Sequence, residues 1–248
     1  MPLIFEPGTA WAYGANFEWL SQVIERATGA AYLGDYLREN IWEPLGIKAA
    51  TFQVHTRPDI LEARSDMSFR VPDGPLVPSP TRFFPEHPEY HSGGGGLHAS
   101  PAEYIKLLIA VLRNDGKLLK PETLDLLFEP QLTPAVTETL ETTLFENGGQ
   151  PALSQNLPRS ARPIQALGGV VSRNDVVGDV FGGEGKRRNK GTLTWGGLPN
   201  LVWTVDRKAG IVLFYATQVL PPGDKISLDA FRRFEEAIYS GEIGGSKL

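Results

Sequence analysis

An α+β fold is predicted by three observations: helical apolar periods dominate the early chain, β-rich segments parted by Gly and Pro crowd its end, and the two kinds do not alternate. Helices therefore come first and a small antiparallel sheet last. Phe17 to Ala27 opens the series, with Phe17, Leu20, Val23, Ile24 and Ala27 on one face to be buried, Asn16 as cap and Gly29 as stop. A second helix runs from about Tyr32 through Leu37 to Trp42 and ends at Glu43-Pro44-Leu45-Gly46, because a residue before proline avoids the helical region.

From Thr56 to Tyr90 the periodicity fades and prolines accumulate at 58, 72, 75, 78, 80, 85 and 88, which predicts irregular surface of the kind that shapes pockets. Ser100-Pro101-Ala102-Glu103 then sets a capping box, with proline in the first helical position, and starts a helix to Arg113. Pro121 to Phe128 reads as another short helix, apolar at Leu124, Leu127 and Phe128, and Pro134 to Phe145 as a third. Thr192–Trp195, Leu201–Asp206 and Ile211–Gln218 are rich in Val, Ile, Thr and aromatics and read as strands. Asp206 to Gly210 turns the last two into a hairpin. Lys225 to Tyr239 closes the chain as a helix with Ile226, Ala230, Phe234, Ala237 and Ile238 inward.

The composition removes whole classes of function. At 248 residues, 41% hydrophobic and 21% charged, the chain is neither disordered nor fibrous. With no cysteine it has no disulfide, thiolate nucleophile, cysteine zinc site or iron–sulfur cluster. A net charge of −5 gives no reason to expect nucleic acid or an anionic membrane as partner. The first residues lack the basic start and apolar stretch of a secretory signal, and apolar runs such as Ile211 to Ala216 are too short to span a bilayer, so a cytoplasmic location is expected.

His87-Pro88-Glu89-Tyr90-His91 superficially suggests metal, but its proline bars the helix that an HExxH zinc site requires, leaving loop or pocket-wall histidines. Gly93-Gly94-Gly95-Gly96 lacks the Lys-Ser/Thr and preceding strand of a phosphate loop and reads as a flexible turn beside a ligand. Lys186-Arg187-Arg188-Asn189-Lys190 reads as a solvated loop. Two segments are more specific. Phe5 to Asn16 places Tyr13 after a Pro-Gly turn and just ahead of a helix, either as a packed core residue or as a catalytic base. Lys190 to Asn200 is a strand ending in Trp195-Gly196-Gly197, by itself only a bend.

In this order, these segments resemble the serine β-lactamase-like superfamily, in particular its esterase and transesterase branch. Trp11 to Asn16, Glu25-Arg26-Ala27-Thr28-Gly29, Pro44-Leu45-Gly46-Ile47 and Pro199-Asn200-Leu201-Val202-Trp203 are similar to the corresponding stretches of fungal lovastatin-type acyltransferases. The similarity extends over Gly93 to Leu97 and the closing Phe234 to Tyr239, so it covers essentially the whole chain. It implies a β-lactamase/transpeptidase-like fold, an antiparallel sheet flanked by helices plus a helical subdomain. The chain would form one partial domain, helical and looped over about 1–165, with strands and helix over about 166–248.

The resemblance also implies a mechanism. In that family a serine of a Ser-x-x-Lys helix turn takes an acyl group from an ester or thioester and passes it to an alcohol or water, aided by a tyrosine. Tyr13 stands where that tyrosine stands, and the backbone N–H of Leu198 would be half of an oxyanion hole. A phenol, with a pKa of ~10, serves as a base only where a lysine ammonium lowers it. Trp11, Trp195, Gly196, Gly197, Gly94 and Gly95 would line the substrate, with plain packing as the other reading. Asn16 lies three residues after Tyr13, where penicillin-recognising members place an asparagine two after, at Ala15 here. Trp195 replaces the lysine of the Lys-Thr-Gly strand, which favours an uncharged acyl substrate over a β-lactam or D-alanyl carboxylate. Lys190 could restore that charge, which leaves a β-lactamase or D-alanyl peptidase type as an alternative. The implied partners are a small acyl donor and acceptor, with an acyl carrier protein among the donors allowed, and no cofactor.

One part of the pattern is missing. Of twelve serines none is followed three residues later by lysine, and there is no Gly-x-Ser-x-Gly elbow. The family carries Ser-x-x-Lys ahead of the tyrosine segment, so the chain is expected to be a truncated form that is inactive alone, or a noncatalytic binding remnant. Loss of that portion would expose a sheet edge near Ile211 to Gln218 and lower solubility.

Overall fold

The computed structural model describes residues 2–72, 74–80, 82–146, 151–154, 156–178 and 184–241; the last residues of the expected C-terminal part, 242–248, lie outside these. Helix α1 spans Asn16–Thr28 and stops where Gly29 turns left-handed at φ 76°. Helix α2, Leu33–Leu37, runs into a wide π turn over Arg38–Trp42, so the second predicted helix is present with a loosened end. Strand β1 (Ala50–Thr51) pairs later in the fold, and helix α3 (Pro58–Ala63) with strands β2 (Ser68–Arg70) and β3 (Leu76–Pro78) puts regular pieces into the stretch predicted as irregular. Strand β4 (His98–Ala99) closes an antiparallel pair with β1 and leads directly into helix α4 (Pro101–Arg113).

Helix α4 has the predicted bounds, and Ser100 Oγ accepts the Glu103 N–H at 3.3 Å. The reciprocal half of the capping box is absent, because the Glu103 carboxylate is drawn away to the Lys48 N–H at 2.5 Å and the Lys106 ammonium at 2.6 Å. Helices α5 (Pro121–Asp125, extended by a 3₁₀ turn to Phe128), α6 (Pro134–Phe145, capped by Thr133) and α7 (Pro151–Ser154) follow. Five strands then form an antiparallel meander: β5 (Pro163–Gln165), β6 (Val170–Ser172), β7 (Leu193–Gly197), β8 (Leu201–Asp206) and β9 (Ile211–Tyr215). The first two escaped prediction because three residues are too few to display a period of two. Strand β10 (Val219–Leu220) joins β2 in parallel, and helix α8 (Lys225–Ser240) completes the fold, capped by Asp224.

The meander is sandwiched. Leu108 and Val111 of α4 and Leu124 of α5 pack with Val205 on one face, while Leu228 and Phe231 of α8 pack with Val202 on the other. Alternation along β8 thus serves both helical layers. Strand β9 ends the sheet among the described residues, pairing with β8 alone, which puts a terminal strand where an exposed edge was expected.

Four expectations are corrected. Asn16 begins α1 rather than capping it; Ala15 precedes the helix and no side chain caps it. The apolar stripe of α1 is not buried: Phe17, Leu20 and Val23 are exposed, because the neighbours of the helix lie against its other face, at Glu18 and Ser21. Helix α8 likewise buries Ser227, Leu228, Phe231 and Glu235, while Ile226 is exposed. The apolar pattern misplaced this face because one of its fully buried members is a carboxylate.

That carboxylate overturns the fourth expectation. Arg187 and Arg188, read as a solvated loop, are fully buried around Glu235. Arg188 holds it with two bonds of 2.7 and 3.1 Å and lies 5.4 Å from the Phe231 ring centroid. Arg187 adds a third at 2.7 Å and donates to the carbonyls of Asn156 and Gly178. Nearby, buried Asp206 accepts from Asn189 and Tyr239. Burial pushes its carboxyl up, but these donors and the Ala209 N–H outweigh it and leave the value below the usual range. The basic run is therefore an internal ion cluster that pins the approach to β7 onto α8.

Candidate active site

The Tyr13 segment begins with a turn. Gly8 takes φ 82°, and the Thr9 N–H and hydroxyl both donate to the Glu6 carbonyl, at 3.1 and 2.6 Å. A side chain at Gly8 would strain that turn. Beyond it the backbone has no regular structure until α1, but the Trp11 N–H donates to Thr139 Oγ1 on α6 at 2.8 Å. Tyr13 is 63% exposed, so it is not a core residue. Its ring lies nearly parallel to the Trp195 indole, with centroids 6.4 Å apart and an interplanar angle of 16°. Trp195 is itself half-buried against Leu157, Ala161, Val170 and Val176.

Trp195 leads straight into the second feature. Gly196 and Gly197 continue β7, opposite Val202 and Leu201 of β8. A Cβ at Gly197 would sit 3.0 Å from Leu201 Cδ1, so the glycine keeps this end of the ladder open. Leu198 stands in the turn, 39% exposed, and its N–H makes no hydrogen bond among the described residues. The turn is held from beneath by Asn200, buried and left-handed at φ 57°. The Asn200 amide donates to the Val219 and Pro221 carbonyls at 2.8 and 3.0 Å, and its oxygen accepts the Gly223 and Asp224 N–H groups at 2.8 and 3.1 Å. Thr217 Oγ1 donates to the Pro199 carbonyl. The structure thus brings Tyr13, Trp195, Gly196, Gly197 and Leu198 to one end of the sheet.

Gly94 and Gly95 belong to the glycine run beside α1. The glycine run lies across the first turn of α1, where Gly93 N–H donates to Ser21 Oγ at 2.8 Å. A Cβ at Gly93 would fall 2.7 Å from the Phe17 carbonyl oxygen, so here the absence of a side chain is a steric requirement. Gly94 faces the Glu18 carboxylate and Gly95 the Phe84 ring. Sequence reasoning missed Thr139, Glu18, Phe84 and the anchoring role of Asn200. A left-handed Asn after proline was the one local signal available; the other three act across distances in sequence that no spacing rule covers.

His91, next to the run, is a loop histidine, and it is buried. It stacks between Tyr32 and Phe52, each centroid 4.8 Å away, and Nδ1 accepts the Gly34 N–H at 3.0 Å, so a neutral ring carries its proton on Nε2. Burial holds its pKa below the ordinary histidine value, against the opposing pull of Asp35 and Glu25. Stability present above the unfolded pKa of ~6.5 is therefore lost as pH falls towards the folded value, because the unfolded chain binds the extra proton first. His98, lowered chiefly by burial, acts with the same sign. Chemical denaturation should show a lower midpoint at about pH 5.5 than at about pH 7.5, with a smaller drop in His91→Gln. An equal drop in both proteins would assign the acid sensitivity elsewhere.

A family model described as Beta-lactamase matches residues 1–237. Monacolin J acid methylbutanoyltransferase of Aspergillus terreus is 38% identical over 244 residues, covering 96% of this chain and 56% of that protein. Lovastatin esterase of Penicillium rubens is 32% identical over 241 residues, with 96% and 58% covered. The chain thus spans little more than half the length of these curated relatives. Among solved structures, unliganded selenomethionyl simvastatin synthase (LovD) from Aspergillus terreus superposes with a TM-score of 0.88 at 37% identity, covering 99% of this chain and 59% of that one. At 19% identity, EstCE1, a hydrolase with promiscuous acyltransferase activity, shares the fold with a TM-score of 0.66.

Proposed function

This chain belongs to the β-lactamase family, and from that premise we propose that it carries the proton-transfer and oxyanion side of a serine acyltransferase or esterase. The observation that carries the reading is the juxtaposition of Tyr13 with Trp195, one strand end away from the Leu198 N–H, which makes no hydrogen bond among the described residues. A nucleophilic serine, activated by lysine and supplied by polypeptide outside these residues, attacks an acyl ester or thioester. The carbonyl oxygen gains charge in the tetrahedral intermediate, and the Leu198 N–H is placed to hold it. Tyr13 passes the serine proton towards the leaving group and later takes one from the incoming alcohol or water.

Substrate polarity follows from Trp195. An indole stands where a carboxylate-binding cation would have to stand, so the donor and acceptor are uncharged near the reacting carbonyl. That argues against β-lactam and D-alanyl substrates. A carrier protein as acyl donor, a place in fungal secondary metabolism and a cytoplasmic location belong to the same proposal; no helix among the described residues is long and apolar enough to cross a membrane. Trp11, Gly94, Gly95, Gly196 and Gly197 are proposed as walls of the acyl-binding cleft.

Joining the chain to the portion of the Aspergillus terreus methylbutanoyltransferase outside the matched region tests this reading. The hybrid should transfer a short acyl group from a thioester to an alcohol or to water, and the chain alone should not. A folded hybrid with no turnover of any ester or thioester would refute it.

A further inference from the structure

Residues 2–15 have no helix or strand to fix them, yet Tyr13 is set against one ring of the sheet. Their hydrogen bonds among the described residues are a local turn at Glu6–Thr9, the first bond of α1 at Ala15, and a single long-range bond from the Trp11 N–H to Thr139 Oγ1 at 2.8 Å. That oxygen is itself constrained. The Thr139 hydroxyl spends its proton on the Val136 carbonyl at 2.8 Å, so it meets Trp11 as an acceptor in a fixed direction. Helix α6 is anchored beneath it by buried Val136, Leu140 and Leu144.

We infer that Thr139 is a positioning residue for Tyr13: it pins the backbone two residues upstream and so confines the phenol to the end of β7. Two residues of chain reach at most about 7 Å, so fixing the Trp11 nitrogen leaves Tyr13 little space to search. With the nitrogen released, the exposed ring stack and the partly buried Ala10 and Trp11 would have to hold the segment against the conformational freedom of residues 2–15. The Thr139 hydroxyl touches neither reacting atoms nor substrate in this scheme. Its importance for catalysis rests on the role proposed above for Tyr13; the geometric claim stands apart from it.

Two variants of the chain separate the possibilities. Thr139→Val keeps the shape and removes the acceptor; Thr139→Ser keeps the oxygen. In Thr139→Val, the nuclear Overhauser contacts between the Tyr13 ring and the Trp195 indole should vanish. The Trp11 amide should exchange about tenfold faster or more, as expected for one lost hydrogen bond. Exchange at Leu140 and Leu144 should be unchanged, and Thr139→Ser should restore both signals. Persistence of the ring contacts and Trp11 protection in Thr139→Val would overturn the inference. So would failure of Thr139→Ser to restore them, or loss of protection throughout α6. In the hybrid enzyme, a harmless Tyr13→Phe change would instead defeat the functional reading while leaving these contacts in place.

Discussion

Replacing Glu235 by alanine should destabilise the chain by about 3–5 kcal/mol, the cost of leaving buried charge without its counter-ion. Two fully buried guanidinium groups share this carboxylate, through bonds of 2.7, 2.7 and 3.1 Å, and its removal takes that negative charge away from cations shielded from bulk water. Domains of this kind are stable by only about 5–15 kcal/mol, so the variant should be largely unfolded or melt far below the parent. The contrasting experiment replaces Arg187, Arg188 and Glu235 together with apolar residues of similar volume, which should recover most of the loss. Urea denaturation followed by circular dichroism measures both. A Glu235→Ala midpoint near that of the parent would mean that water reaches the cluster.

Changing Tyr13 to phenylalanine in the hybrid enzyme should lower turnover about a hundredfold or more, the range expected for loss of a general acid–base group. The ring would remain and could still stack on Trp195, so binding should change little and the defect should appear in kcat rather than KM. The folded state should be indifferent, since the Tyr13 side chain is largely exposed and its hydroxyl makes no hydrogen bond among the described residues. Steady-state kinetics with an acyl thioester decide it. Undiminished kcat would remove the phenol from proton transfer.

Much of the fold was legible where local rules suffice. Ser100-Pro101 and Arg113 bound α4 as predicted, and the Asp206 to Gly210 turn joins β8 to β9, with Ala209 N–H on Asp206 Oδ1 at 2.9 Å. What could not be read depends on partners remote in sequence. Glu235 lies 47 and 48 residues from its arginines, and a charged run with an invisible partner reads as solvent-facing. Phe17, Leu20 and Val23 obey the helical period for burial yet are exposed, because a period identifies a face and not what covers it. Of the site, Tyr13 and Trp195 were singled out as separate motifs by resemblance; their ring contact is a tertiary fact, as is the 128-residue span from Trp11 to Thr139.

The proposed division of labour gives these residues the proton and the oxyanion, with the lysine-activated serine supplied by polypeptide outside them. Incubating the purified chain with a fluorophosphonate and reading its intact mass tests this directly. An unmodified mass is expected for the chain, and a single adduct for the hybrid, on the serine of the added portion. A stoichiometric adduct on any serine of the chain itself would contradict it.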